Sequence, residues 1–98
     1  MRAILFGDIV ASARALLAVP PHDRACLLNT LLLQANAAHR FHKRLSKPHP
    51  KWGNGSLMAR ANFEPQVEEP LGSNIDYLQA LLMVIGAIAS TKDRLFDT

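Results

Sequence analysis

A chain of 98 residues, 49% hydrophobic and 19% charged, fits one domain that buries roughly 60–65% of its unfolded surface, and this composition argues against disorder. The single cysteine, Cys26, excludes an internal disulfide, and the longest apolar run, Ala80 to Ala89, is ten residues where a membrane span needs about 20. The net charge of +3 conceals a sorted distribution: Arg24 to Phe63 contains no Asp or Glu but carries Arg24, Arg40, Lys43, Arg44, Lys47, Lys51 and Arg60, whereas residues 64–98 hold six acids against Lys92 and Arg94.

Residues 2–6 are short and apolar, and strand, helical extension and packed arm are all open. Beyond them Ile9, Val10, Ala13, Leu16 and Leu17 share one helical face, with Ser12 and Arg14 outside it. This spacing predicts a helix over about 8–19, with Asp8 as N-cap and Pro20-Pro21 as its stop. Asp8 and Arg14 also interrupt what would otherwise imitate the apolar core of a secretion signal, so a cytoplasmic protein is expected.

Pro21 is suited to the first turn of a second helix, Asp23 complements its N-terminal dipole, and no breaker follows until Pro48. The predicted helix runs from about 21 to 46. Leu27, Leu28, Leu31, Leu32, Ala35, Ala38 and Leu45 form its apolar stripe, opposite Asn29, Asn36, Arg40, Lys43, Arg44 and Lys47. Cys26 lies in this Leu-rich run and is expected to be a buried small hydrophobe. Prolines and glycines make 48–55 a loop, with Trp52 as its anchor. Ser56 then caps a short helix over about 56–63, and 64–73 is a second loop.

The last predicted helix spans about 74–91, capped by Asn74 or Ser73. Tyr77, Leu78, Leu81, Leu82, Val84, Ile85 and Ile88 cover over a third of its circumference, and Ala80, Met83 and Ala87 keep much of the remainder small or neutral. A helix apolar on so many sides is either the central element or a self-association surface. Residues 92–98 read as a frayed tail. The expected fold is all-α, a bundle of three main helices (about 8–19, 21–46 and 74–91) plus a short one (about 56–63), with the last helix near the centre.

Three constellations bear on function. Arg40, Lys43, Arg44 and Lys47 project within about 100° of one another on a regular helix, with Lys51 and Arg60 close in sequence. Such a patch would neutralise phosphates without reading sequence; a solvated polar face, with cations complementing the helix's negative end, is the simpler reading. Gly53-Asn54-Gly55-Ser56 before a helix start has the physics of an anion site, but lacks the Lys-Ser/Thr ending of a phosphate-binding loop, and a glycine turn with Ser56 as cap explains it as well. His39 and His42 lie one turn apart and, with His49, supply three imidazoles, but no carboxylate or thiolate stands beside them in sequence. Hydrogen-bonded histidines bordering the core are expected rather than a metal site. No nucleophile elbow or paired-carboxylate motif occurs, so the sequence argues against an enzyme and names no cofactor.

The pattern Gly7-Asp8, Ala13-Arg14-Ala15-Leu16-Leu17-Ala18-Val19-Pro20-Pro21, Arg44-Leu45, His49-Pro50, Trp52-Gly53 and Gly55-Ser56-Leu57-Met58 resembles a family of short uncharacterised alphaproteobacterial proteins. The likeness spans most of the chain, and its Trp-Gly-x-Gly-Ser-Leu-Met piece is the most specific part. The resemblance implies a bacterial single-domain protein and transfers no functional residue. The leading expectation is a small non-catalytic interaction module, self-associating through the Ala80, Met83 and Ala87 edge of the last helix. The alternative is nucleic-acid or phosphate binding by the basic face and the Gly-rich loop.

Overall fold

The computed structural model describes residues 3–95, with side chains through Ser90. Its elements are α1 (Phe6–Leu17), a 3-10 turn (Pro21–Asp23), α2 (Arg24–Leu45), α3 (Leu57–Ala61) and α4 (Ile75–Leu95). The fold is the expected small all-α bundle. The helix α4 extends through Leu95, into the segment expected as a tail; residues 96–98 of that tail lie outside the described residues, as do Met1 and Arg2.

The centre is α1, not the last helix. It packs against α2, α3 and α4, whereas α2 and α4 flank a groove and are joined at one end by the Arg24–Asp76 ion pair. Its small side chains permit this: Ala11, Ser12, Ala13 and Ala15 are buried together with Leu16, so neighbouring backbones approach from several sides. Ser12, expected outside the apolar face, is therefore fully buried, and its hydroxyl lacks a hydrogen-bond partner. Around α1 the core is completed by Leu28, Leu31, Leu32 and Ala35 of α2, Leu57 and Ala61 of α3, and Tyr77, Ala80 and Val84 of α4. Residues 3–5 precede α1 without regular structure, and Ile4 packs partly onto the core.

Asp8 corrects another expectation. The helix begins at Phe6, so Asp8 sits inside its first turn rather than capping it. One carboxylate oxygen accepts the Leu5 N–H at 2.7 Å, and the other reaches across to the Met58 N–H at 2.8 Å in the first turn of α3. One buried anion thus satisfies donors at two helix N-termini, where both dipoles favour negative charge. Ser56 and Asn74 behave as the sequence predicts: Ser56 Oγ accepts the Ala59 N–H at 3.0 Å, and Asn74 Oδ1 accepts the Tyr77 N–H at 2.9 Å.

Arg24 joins three elements at the other end of α1. Its Nε donates to the Leu16 and Val19 carbonyls at 2.9 and 3.3 Å, capping the end of α1, while its two terminal nitrogens grip the Asp76 carboxylate at 2.8 and 3.2 Å. The C-terminus of α1 and the N-terminus of α4 therefore lie together, and the two helices run antiparallel. The 64–73 loop is pinned to the same end: Arg14 Nε donates to the Val67 carbonyl at 2.7 Å, and the Val67 N–H returns to the Arg14 carbonyl. Tyr77 Oη donates to Glu69 at 3.1 Å.

Replacing Asp8 by Ala leaves two donors without their acceptor and should cost about 3 kcal/mol; Asp8→Asn, which keeps a carbonyl acceptor, should cost less. Urea midpoints for the two variants check this order. The Arg24 guanidinium holds the Asp76 carboxyl below its usual range, chiefly through the hydrogen bonds and secondarily through charge. Its contribution to stability is present above the unfolded carboxylate range and is lost as pH falls through the lower folded value. Urea midpoints at successive pH values below about 4 should therefore fall less steeply for Asp76→Asn than for the wild-type chain.

Candidate functional site

Two of the seven cations in the acid-free segment are tied down inside the fold. Arg24 is paired with Asp76. Arg60, expected on the basic surface, is only 7% exposed: its Nε donates to Gln34 at 2.7 Å and a terminal nitrogen pairs with Glu64 at 2.9 Å, one helical turn on. Arg60 links α3 to α2 and leaves the candidate patch. Arg40, Lys43, Arg44, Lys47 and Lys51 are exposed, and none belongs to an ion pair among the described residues.

Their placement is set by how α2 ends. The helix stops at Leu45, one residue earlier than predicted, because Ser46 adopts a left-handed conformation (φ 56°) while its N–H closes on the His42 carbonyl at 2.8 Å. Lys47 consequently follows the turn instead of continuing the helical ridge. The chain then folds back as a loop closed by paired backbone bonds between His49 and Gly53, at 2.8 and 3.1 Å. The His49 Nδ1 accepts the N–H groups of both Lys51 and Trp52 at 3.0 and 3.1 Å. Its ring stacks on Trp52 with centroids 4.5 Å apart and meets Phe41 of α2 edge-on at 4.8 Å. An aromatic cluster thereby holds the loop that carries Lys51 against Phe41 of α2. Sequence reasoning missed the part of Phe41 in this cluster, for which local spacing carries no signal.

The Gly-rich turn does not present an open anion cradle. The Met58 N–H is taken by Asp8, the Ala59 N–H by Ser56, the Ser56 N–H by Asn54 Oδ1 at 3.1 Å and the Gly53 N–H by His49. The anion that this turn attracts is the protein's own carboxylate. Gly53 and Gly55 serve packing instead. Gly55 has φ +104°, and a Cβ there would lie 2.6 Å from the His39 Cα. The loop closes over α2 at this point, and Asn36, expected on the polar face, is buried.

His39, His42 and His49 do not assemble a metal centre; no group of three potential metal-binding side chains occurs among the described residues. His49 has its Nδ1 committed to the loop. Cys26 is also corrected, being exposed.

The expected self-association edge is mostly closed. Ala80 is 2% exposed in the core, and half-buried Met83 and Ala87 line a groove of about 250 Å³ with Ala25, Leu28, Asn29 and Leu32 of α2. A different face of α4 is open: Ile75 (70% exposed), Leu78 (41%), Leu82 (68%) and Ile85 (45%). The predicted apolar arc therefore divides into a buried face centred on Tyr77, Val84 and Ile88 and an exposed stripe. Its alternating spacing of three and four residues was the available signal, and sequence reasoning merged it with the buried face.

Comparison with known proteins bears on most of the length: the profile of a domain of unknown function, DUF7742, matches residues 2–88. The chain belongs to the DUF7742 family. No curated protein and no solved structure matches it. The matched region includes α1, α2, α3 and most of α4, hence both exposed surfaces described above. No helix among the described residues is long and apolar enough to cross a membrane.

Gly55→Ala should destabilise the fold by about 2 kcal/mol or more, in the upper part of the range for a strained backbone position, because the clash is with main chain that has no rotamer to yield. Thermal unfolding followed by circular dichroism checks this. Lys51→Ala, in the same loop, should leave the unfolding curve nearly unchanged.

Proposed function

We propose that this DUF7742 chain is a small non-catalytic interaction module that pairs with a second copy of itself through α4. The observation that carries the reading is the open stripe of Ile75, Leu78, Leu82 and Ile85. At 100° per residue these side chains occupy about 80° of arc, and Ala89 continues the same line. Large apolar side chains repeating at three and four residues are what a helix needs to interlock with another helix, and such a stripe is self-complementary about a two-fold axis.

Its size fits a partner of similar shape. The exposed parts of the four side chains amount to roughly 400 Å², in the range of the largest apolar patches on monomers. Two copies burying these stripes and their flanks reach about 1,000 Å². Gly86 supports the same reading. It lies inside α4, on the border of the stripe, and a Cβ there would meet nothing within 4 Å. Packing within the monomer therefore gives no reason for a residue that costs a helix about 1 kcal/mol relative to Ala, whereas a closely approaching second helix does.

The groove between α2 and α4 supports the non-catalytic part. Asn29 is the polar side chain among its lining residues, and none of them is titratable. The setting we infer is the cytoplasm of an alphaproteobacterium, a reading supported by the Trp52-Gly53 and Gly55-Ser56-Leu57-Met58 resemblance.

Light scattering after size exclusion should give twice 10.8 kDa for the wild-type chain. Leu82→Glu should give the monomer mass with an unchanged helical spectrum, since burying an unpaired carboxylate at the contact costs several kcal/mol. A wild-type monomer at about 100 μM, a concentration at which a specific helical contact of this size should form, would refute the pairing. So would a Leu82→Glu chain that still dimerises.

A further inference from the structure

We propose that the C-terminal end of α2 and the loop behind it bind the phosphate backbone of nucleic acid. The site consists of Arg40, Lys43, Arg44, Lys47 and Lys51. These five exposed cations are left after Arg24 and Arg60 are withdrawn into internal ion pairs, and among the described residues no carboxylate pairs with them. None lies on α4, so the inference does not rest on self-association.

The arrangement is held in place. Arg40, Lys43 and Arg44 ride on a helix of 22 residues, and Lys51 is fixed by the paired bonds of His49 and Gly53 and by the stacking of His49 on Trp52. Cations on fixed elements lose less conformational freedom on meeting phosphates than cations on a loose tail. Two of the five are guanidinium groups, which bind phosphate oxygens in pairs. Trp52 and His49, half-buried in the same loop as Lys51, add aromatic surface of the kind that bases stack on.

The same features disfavour other polyanions. Lipid binding by a basic helix needs an apolar face to enter the bilayer, but Leu28, Leu31, Leu32, Ala35 and Ala38 are buried in the bundle, leaving Leu33, two turns before Arg40, and Leu45 as the large apolar side chains that α2 exposes. An acidic peptide would use a groove to seat its side chains, and the groove on α2 lies at the opposite end, around Ala25 to Leu32. A ridge of cations without apolar pockets matches a ligand whose charges repeat along a strand and whose sequence goes unread.

Fluorescence anisotropy with labelled duplex DNA and single-stranded RNA of about 20 nucleotides should show binding at 50 mM KCl that weakens at 200 mM by about 10²- to 10³-fold for the duplex and about 10²-fold for the single strand, as four or five phosphate contacts require. The triple variant Arg40→Glu, Lys43→Glu, Arg44→Glu should lose binding at both salt concentrations. The matching triple Gln variant should bind weakly, with a salt dependence reduced by about three contacts. Circular dichroism and melting confirm that both variants fold; if the Glu variant does not, the Gln variant carries the test. Absence of wild-type binding at 50 mM KCl overturns the proposal, as does unchanged affinity in a folded variant. Binding to phosphatidylserine vesicles without binding to either nucleic acid overturns it in favour of a membrane surface.

Discussion

One buried carboxylate organises the start of this fold. Asp8 accepts a backbone donor from the chain entering α1 and another from the first turn of α3, fifty residues later, and so ties two helix beginnings into one corner. Both hydrogen bonds are charge-assisted and part-buried, accepted by a carboxylate that is itself buried, so their loss is costly. At the same corner Gly7 lies under the Met58 side chain, whose Cε would be 2.5 Å from a Cβ at that position. With α3 held in this position, Arg60 reaches Gln34 and Glu64, and the Gly-rich turn is pressed against α2.

Charge is sorted a second time in three dimensions. The sequence contains a long acid-free stretch, but its cations divide by role. Arg24 and Arg60 reach back to acids outside the stretch and act as fasteners, while five others remain on a surface with no fastening to do. Coulomb attraction alone does not decide which cation belongs to which class; helix geometry does. Arg60 has Glu64 one turn away on the same side of the chain, and Arg24 lies where α1 ends and α4 begins. Among the described residues, Arg40, Lys43, Arg44, Lys47 and Lys51 form no ion pair.

Much of the architecture was legible because it is local. Apolar periodicity located α1, α2 and α4, the Ser56 and Asn74 caps were readable from residue type, and Pro48 to Gly55 announced a loop. The failures are long-range. Asp8 looks like a cap because nothing nearby reveals that Met58 will need an acceptor. Ser12 looks exposed on a helical wheel because the wheel assumes one buried side, whereas α1 is packed on several. Cys26 looks buried because its Leu-rich neighbours are. The last helix was expected at the centre because its apolar arc is broad, but breadth does not separate one face turned inward from a second turned outward. Arg60 could have been removed from the patch by its spacing to Glu64, and the outward stripe recognised by its alternating three- and four-residue steps. The Phe41, His49 and Trp52 cluster had no comparable sign, since it depends on how the loop folds back.

Gly86 adds a thermodynamic consequence. Its open surroundings and weak helical preference sit in the half of α4 that runs towards the N-terminal end of α1, where Ser90 Oγ bonds back to the Gly86 carbonyl at 2.8 Å. Helical order in that half is thus only modestly favoured by the chain itself, and whatever lies against the neighbouring face adds to it. Occupancy of the face and cooperativity of the helix become linked quantities: each raises the other by the same free energy. If the face pairs with a second copy as proposed, a region left under-determined in sequence becomes responsive to concentration.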